Sequence, residues 1–265
     1  MDHQHRPLSG RVALVTGGSG DLGRTICQAL AAAGADVAVH YRSRRSIADE
    51  VAAACRAEGV RAVCVTGDIA DLDQMRAAHA EVAAAVGAPD IVVANAVSQI
   101  RWLSVLDQPL EDYLDQFRSC VLHAAVLAKV AIPAMKTKGG GRFIGINTEC
   151  VIECRAGSSA YAAGKGGMDR LLRCLAREVG PANITVNQIA PGWMISERNR
   201  KAGGGIDDDG VPAAELAGYV SGVPLGHRGS DRDIADAVVY LASPAARFIT
   251  GAMLPVCGGR AMTSI

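Results

Sequence analysis

A tyrosine and a lysine stand four residues apart in the chain, at Tyr161 and Lys165. On an α-helix this spacing places both side chains on one face, one turn apart. An ammonium close to a phenol favours the phenolate, so we expect Lys165 to lower the pKa of Tyr161 by ~1–3 pH units. A phenol with such a pKa exchanges protons efficiently near neutral pH. The spacing therefore predicts an acid–base pair.

The residues around this pair are small. Alanine or glycine occupies positions 160, 162–164, 166 and 167. These residues predict a thin helix against which bound ligands can lie. The alternative interpretation is a surface pair on an alanine-rich helix.

A glycine-rich turn follows the first apolar run of the chain. It reads Thr16-Gly-Gly-Ser-Gly-Asp-Leu-Gly23, between a predicted strand and a predicted helix. Glycines let the backbone approach a pyrophosphate, and the amides at a helix N-terminus favour its negative charge. An ordinary strand-to-helix turn is the alternative, and the flanking elements favour a dinucleotide site.

The end of the second predicted strand is basic. Arg42, Ser43, Arg44 and Arg45 follow it, and no carboxylate occurs before Asp49. At this position a carboxylate would bind a free ribose 2′-hydroxyl, whereas guanidinium groups suit a 2′-phosphate. The sequence therefore predicts NADP(H) rather than NAD(H). A solvated helix start is the alternative, and it suits Arg45 better than Arg42.

Short apolar runs alternate with alanine-rich stretches of helical spacing. This alternation predicts an α/β, single-domain Rossmann fold over residues 1–265, with a seven-stranded parallel, doubly wound sheet and helices on both faces. Residues 1–9 are expected to form a tail, and residues 193–224 a substrate loop or lid. The predicted strands are 12–16, 37–41, 62–66, 91–94, 143–146, 184–189 and 252–256, and the predicted helices are 24–33, 46–58, 71–86, 109–136 and 159–179.

Composition argues against several partner classes. The 27 basic side chains equal the 27 acidic ones, which disfavours a nucleic acid or an anionic membrane as partner. No apolar run reaches the ~18 residues of a membrane helix, and the first ten residues lack the apolar core of a secretory signal. The eight cysteines form no CxxC pair, which predicts reduced thiols and no metal. We expect a cytoplasmic protein with a small-molecule partner.

In their order, these motifs resemble the classical short-chain dehydrogenase/reductase family over nearly the full chain, and most of all its 3-oxoacyl-(acyl-carrier-protein) reductases. The resemblance implies that Tyr161 donates a proton, that Lys165 lowers its pKa and holds the nicotinamide ribose, and that Thr148 orients the substrate carbonyl. The matching motifs are the turn at 16–23, Asp68-Ile69, Ala94-Asn95-Ala96, Tyr161 with Lys165, Asn187, Pro191-Gly192, Ile249-Thr250-Gly251 and Gly258-Gly259.

The resemblance also implies cofactor contacts. Asp68 is expected to bind the adenine amino group, Asn95 to line the nicotinamide ribose, and Met194 and Ser196 to meet the carboxamide. The full set of expected NADP(H) contacts is Gly17, Ser19, Asp21, Leu22, Gly23, Arg42, Ser43, Asp68, Ile69, Asn95, Ala96, Tyr161, Lys165, Pro191, Gly192, Met194 and Ser196.

The chain departs from the family pattern at several positions. Asp21 replaces a glycine of the turn, and we interpret it as a helix cap. Cys120 stands where the family has an asparagine that bends the long helix and holds a relay water, so it is either a catalytic contact or an inert buried thiol. Val97 replaces a glycine, and Cys257 an aspartate.

The sequence predicts an NADPH-dependent reduction of a ketone, as a tailoring step in a biosynthetic pathway. Candidate substrate contacts are Gln99, Trp102, Glu149 and Trp193. The alternatives are a 3-oxoacyl-(acyl-carrier-protein) reductase of fatty-acid synthesis, an imine reductase, and a non-catalytic NADP-binding sensor or scaffold. The alanine-rich helices at 109–136 and 159–179 pair in the relatives, which implies a homotetramer or a dimer.

Overall fold

The computed structural model describes residues 6–195 and 213–262. Its centre is a sheet of seven strands in the order β3-β2-β1-β4-β5-β6-β7, and every neighbouring pair is parallel. The strands are β1 (Val12–Val15), β2 (Asp36–Tyr41), β3 (Ala62–Thr66), β4 (Ile91–Ala94), β5 (Gly141–Ile146), β6 (Ile184–Pro191) and β7 (Met253–Val256). The predicted fold and its seven strands are confirmed, with small differences at the strand ends.

Helices cover both faces of the sheet. They are α1 (Asp21–Ala32), α2 (Arg45–Ala57), α3 (Leu72–Ala85), α4 (Leu110–Gln116), α5 (His123–Thr137), α6 (Cys150–Glu153), α7 (Ser159–Val179), α8 (Ala213–Val220) and α9 (Asp231–Ala242). A π-helical turn, Phe117–Leu122, joins α4 to α5, so these three elements form one long helix. The five predicted helices are confirmed, and the sequence did not predict the bounds of α6, α8 and α9.

Apolar side chains form one cluster on each face of the sheet. Ile26 and Val238 belong to the cluster that contains α1, α2 and α9, and Leu127 and Leu172 to the one that contains α3, α5 and α7. The five inner strands are almost wholly buried on both faces, which is why they read as continuous apolar runs, whereas the edge strands β3 and β7 are partly exposed. The sheet is thus a rigid support for the loops at its carboxyl edge.

The strand order places a crevice at that edge. The chain runs outward from β1 through β2 to β3, and then returns to place β4 on the other side of β1. Loops that leave β1 and β4 therefore diverge, and open α/β sheets bind their ligands at such a point.

One expectation about the chain is corrected here. Leu8 is 1% exposed, and Arg6 donates a hydrogen bond to the Ala31 carbonyl, so residues 6–9 pack on the fold rather than forming a tail. Within the described residues, one helix, Leu110–Thr137, is long and apolar enough to cross a membrane by length and composition, a test that a buried core helix also passes. Charged residues such as Asp115, Arg118 and Lys129 interrupt it, so it contains no uninterrupted apolar run of ~18 residues. Its most apolar window is 56% buried inside the fold, as in a core helix.

Candidate active site

A cleft of about 700 Å³ opens at the carboxyl edge of the sheet. Every residue predicted to contact the cofactor lines it, apart from Ser196, which lies outside the described residues. The structure thus brings together residues from the loops after six strands. Their contact with a dinucleotide stays a prediction.

The glycine turn forms one end of the cleft and fits a pyrophosphate. A Cβ atom on Gly23 would lie 2.1 Å from the Gly17 carbonyl oxygen, and one on Gly18 would lie 2.8 Å from Val39. Gly17 itself has a φ of +65°, in the left-handed region that favours glycine. Only glycines let this turn close against the start of α1, where backbone amides can face an anion.

Asp21 does not cap α1, contrary to the prediction. The N-cap residue is Gly20, and no side chain caps the helix. Asp21 occupies the first helical position, with a carboxylate oxygen 4.0 Å from the Arg24 guanidinium. A carboxylate in the first turn also interacts favourably with the helix dipole, which explains an acidic residue at this place.

A buried histidine and a half-buried asparagine hold the glycine turn in position. His40 accepts a 3.4 Å hydrogen bond from the Gly17 amide at Nδ1 and donates one of 3.1 Å to the Gly67 carbonyl from Nε2. Burial lowers the pKa of His40, which keeps the ring neutral. Asn95 donates a 2.9 Å hydrogen bond to the Thr16 carbonyl. Sequence reasoning missed His40, although its place at the end of β2 was a usable signal.

The basic segment after β2 divides into two parts. Arg42, Ser43 and Arg44 line the cleft. Arg45 instead forms an ion pair of 3.1 Å with Asp49, so its interpretation as an ordinary helix-start residue is supported. Arg44 was not among the expected cofactor contacts, yet it lies near the glycine turn, 3.8 Å from the position of a Cβ on Gly20.

Tyr161, Lys165 and Thr148 meet in the middle of the cleft. Lys165 is 2% exposed, and its ammonium donates a 2.6 Å hydrogen bond to the Ile146 carbonyl. The same nitrogen lies 5.8 Å from the centroid of the Tyr161 ring. Burial lowers the pKa of Lys165.

The expected lowering of the Tyr161 pKa is wrong for this structure. Burial raises the pKa of the phenol above its ordinary value, and the interaction with the Thr148 hydroxyl opposes this only in part. The Lys165 ammonium is bonded to a carbonyl rather than to the phenol, which explains its small effect. Tyr161 is therefore a neutral phenol that retains its proton, the form that a proton donor needs.

A buried polar chain lies beneath these three residues. Asn147, 1% exposed, accepts a 2.9 Å hydrogen bond from the Thr148 amide and donates one of 2.6 Å to Gln188. Gln188 in turn donates to the Asp169 carboxylate over 2.8 Å. This chain orients Thr148, and sequence reasoning missed it because its members come from β5, β6 and α7.

Two of the three glycines of α7 serve helix packing. A Cβ on Gly164 would lie 2.8 Å from the Gln116 carbonyl oxygen, and one on Gly167 would lie 2.8 Å from Val121. Both contacts are with α4 and the π-helical turn, so these glycines face another helix. The prediction that they make room for ligands is corrected accordingly.

Cys120 lies inside the π-helical turn. Its thiol is fully buried and donates a weak 3.8 Å hydrogen bond to Gln116. It does not line the cleft. The structure therefore supports the inert thiol rather than the catalytic contact, and it retains a helix irregularity although no asparagine is present.

A second cavity, of about 470 Å³, adjoins the cleft at Thr148, Tyr161, Gly192 and Met194. Of the predicted substrate contacts, three line this cavity, and the exposed Gln99 does not. The remaining wall residues are Ile100, Trp102, Glu149, Cys150, Arg155, Ala156, Trp193 and Glu215.

Glu149 and Trp193 are joined through α8. The Tyr219 hydroxyl donates a 2.9 Å hydrogen bond to the Glu149 carboxylate and accepts one of 2.7 Å from the Trp193 amide. Burial raises the pKa of Glu149. Trp102 comes from a different part of the chain. Its ring centroid lies 6.0 Å from that of Tyr161, and the two rings meet in an edge contact.

Comparison with known proteins gives similar sequences and structures over nearly the whole chain. Residues 19–261 match the family model described as Enoyl-(Acyl carrier protein) reductase. The 3-oxoacyl-(acyl-carrier-protein) reductase of Pseudomonas aeruginosa is 32% identical, over 97% of this chain and 99% of its own.

Two solved structures have the same fold. A gluconate 5-dehydrogenase from Burkholderia cenocepacia, in complex with NADP and tartrate, has a TM-score of 0.86 and 31% identity, over 97% of both chains. A blue fluorescent protein from a metagenomic library, in complex with NADPH, has a TM-score of 0.84 and 36% identity, over 97% of this chain and 100% of its own.

Proposed function

This chain belongs to the classical short-chain dehydrogenase/reductase family of oxidoreductases, and we propose that it uses NADPH to reduce a ketone to a secondary alcohol. The observation that carries the proposal is the position of Thr148 and Tyr161, which line both the dinucleotide cleft and the second cavity. A carbonyl held at this junction meets a proton donor and a hydrogen-bond donor together.

NADPH would supply a hydride to the carbonyl carbon, and the residues of the chain manage the charge that this transfer creates. The carbonyl oxygen becomes negative as the C=O π bond breaks. Thr148 donates a hydrogen bond to this oxygen, and Tyr161 transfers its proton to it. The ketone becomes an alcohol, and NADPH becomes NADP⁺.

Lys165 supports the phenolate that Tyr161 leaves behind. Its ammonium is held near the ring by the hydrogen bond to Ile146, so its position is set before the proton moves. A fixed positive charge in a buried site stabilises a developing anion with little reorganisation. We further infer that Lys165 and Asn95 hold the nicotinamide ribose.

The preference for NADPH rests on the segment after β2. Arg42, Ser43 and Arg44 line the cleft with no carboxylate among them, and such a group of donors suits a 2′-phosphate. Two structurally similar proteins were solved in complex with NADP or NADPH, which supports this assignment.

A second candidate function is the reduction of 3-oxoacyl groups on an acyl carrier protein. The similarity to the Pseudomonas aeruginosa enzyme favours it. The second cavity favours a more polar substrate, because two carboxyl groups and a guanidinium line it beside two indoles. We therefore prefer a tailoring step in a biosynthetic pathway.

One assay tests these functions together. Purified protein is mixed with NADPH and a panel of ketones, 3-oxoacyl thioesters and imines, and the absorbance of the cofactor is followed. We expect consumption of NADPH with at least one ketone. Binding of NADPH without turnover on any member of the panel would overturn the proposal in favour of a sensor or scaffold.

The outer surface of the long helix supports assembly into a homotetramer or dimer. Leu110, Leu114 and Phe117 are 75%, 63% and 48% exposed, and Phe248, near the C-terminus, is 99% exposed. Clusters of exposed apolar side chains mark interaction surfaces. Sedimentation of the purified protein tests this assembly, and a monomer alone would contradict it.

A further inference from the structure

An arginine stands at the edge of the second cavity, directly after α6. Cys154 ends α6 in a left-handed conformation, with a φ of 51°. The chain turns there, and the guanidinium of Arg155 lies 5.5 Å from the centre of the Trp102 ring. Trp102 contacts Tyr161 by its edge. A guanidinium, an indole and the proton-donating phenol therefore follow one another along the cavity wall.

The charge of Arg155 has no carboxylate partner within 4.0 Å among the described residues, although acidic groups are near. Glu153 is paired with Arg260 at 2.9 Å. Glu149 accepts its hydrogen bond from Tyr219, and its burial favours the neutral acid. Glu149 and Glu153 are thus engaged elsewhere, and Glu215, the other carboxyl group of the cavity wall, forms no ion pair with Arg155 within 4.0 Å. The guanidinium therefore keeps donors for another ligand.

We propose that Arg155 binds a carboxylate of the substrate, so that the substrates of this enzyme are oxo acids. The inference rests on the proposed ketone reduction and names its substrate class. A planar guanidinium matches a carboxylate with two parallel hydrogen bonds. Trp102 and Trp193 contribute apolar surface to the same cavity for the carbon chain between the carboxylate and the ketone.

The reduction of an oxo acid by NADPH balances in atoms and electrons. The ketone carbon gains a hydride from NADPH and its oxygen gains the Tyr161 proton, so the oxo acid becomes a hydroxy acid and NADPH becomes NADP⁺. The carboxylate takes no part in the electron transfer. Arg155 is therefore a specificity-determining residue, and its removal should alter binding more than chemistry.

The test compares three oxo acids with their uncharged methyl esters. The probes are acetoacetate, 4-oxopentanoate and 5-oxohexanoate, which vary the distance between ketone and carboxylate, together with the acetoacetyl thioester of N-acetylcysteamine. We expect kcat/KM for at least one acid to exceed that for its ester by about ten- to a hundredfold, the range typical of a charged hydrogen bond.

Variants of Arg155 test whether this residue causes the preference for the acid over its ester. In Arg155→Met we expect the KM for the preferred acid to rise about tenfold or more and the ratio of acid to ester to approach one, with turnover of the ester retained. Arg155→Lys keeps the charge but loses the paired donors, so it should recover part of the preference. Arg76→Met is the matched control, because Arg76 pairs with Asp73 on the exposed side of α3, and it should leave the ratio unchanged.

The outcomes separate this inference from the proposed function. Equal turnover of acids and esters by the unaltered protein, or a preference that persists in Arg155→Met, would overturn the role of Arg155 while ketone reduction stands. Turnover of the thioester alone would indicate a carrier-bound substrate and would also overturn the role of Arg155. Failure of every probe would contradict both the proposed function and the substrate class.

Discussion

The ammonium of Lys165 donates a hydrogen bond of 2.6 Å to the carbonyl oxygen of Ile146, the last residue of β5. This bond joins the helix that carries Tyr161 to the strand that leads directly to Thr148. It is one of the buried contacts that hold the proposed proton donor beside the hydroxyl that would share its substrate oxygen; another is the 3.3 Å hydrogen bond that Asn147 donates to the Lys165 carbonyl. Lys165 has a structural task in addition to its electrostatic one.

Replacing Tyr161 by phenylalanine removes the proposed proton donor and little else. We expect Tyr161→Phe to lower kcat by about 10²–10⁴-fold, the usual contribution of a general acid. NADPH affinity, measured by cofactor fluorescence, should remain within a few-fold of the original. Tyr240→Phe, on the exposed side of α9, is the control and should leave kcat unchanged. Near-normal turnover in Tyr161→Phe would remove the tyrosine from the mechanism.

Arg44 and Arg45 are adjacent in sequence but differ in their surroundings. Arg44 lines the cleft, whereas Arg45 pairs with Asp49. Arg44→Ala should weaken NADPH binding about tenfold or more and leave NADH binding little changed, because one charged contact to the 2′-phosphate is lost. Arg45→Ala should leave the binding of both cofactors unchanged. Fluorescence titration with both cofactors measures the difference, and equal effects of the two substitutions would argue against the assignment.

Gly164 and Gly166 allow a matched test of helix packing. A Cβ on Gly164 would meet the Gln116 backbone at 2.8 Å, and one on Gly166 would meet nothing within 4 Å. We expect Gly164→Ala to lower the free energy of unfolding by about 1–3 kcal/mol, because α4 and α7 must separate. Gly166→Ala should raise it by about 0.5–1 kcal/mol, because alanine is the better helix former. Urea denaturation measures both free energies of unfolding. A change of the same sign in the two variants would contradict the packing described for α7.

The raised pKa of Glu149 leads us to expect that the stability of the protein depends on pH. Burial raises the pKa of this carboxyl in the folded chain above its ordinary value of 4.5. The stabilising contribution of the neutral acid is therefore complete below pH 4.5 and is lost as the pH rises through the folded-state pKa. Glutamine stays neutral and can still accept the hydrogen bond from Tyr219.

Glu149→Gln should therefore have a higher Tm than the original protein at pH 8, and this gain should shrink as the pH falls towards about 4. Thermal unfolding at several pH values measures it. Glu178→Gln, at an exposed position on α7, serves as the control and should show little change at any pH. A gain that grows on acidification would show that Glu149 is stabilised as the carboxylate.

The apolar runs were sufficient to predict the seven strands, because strands buried on both faces need uninterrupted apolar sequence. Residues of the cleft were also predictable at strand ends: Arg42 from its place directly after β2, and Asp68 and Asn95 from the family resemblance of the motifs after β3 and β4. The carboxyl ends of parallel strands meet at one edge, so their order along the chain is enough to bring these side chains together.

His40 was missed although its place at the end of β2 was a signal, whereas Asn147 and Arg155 were not predicted because each acquires its partners from elements distant in sequence. The pKa of Tyr161 was predicted in the wrong direction for the same reason. The spacing of Tyr161 and Lys165 determines that they share a helix face, but the depth at which that face is buried, and the carbonyl that the ammonium bonds, depend on β5. Sequence alone thus determined which chemical groups occupy the cleft, and only the tertiary structure decided their charge and their partners, because burial and long-range hydrogen bonds are properties of the assembled fold.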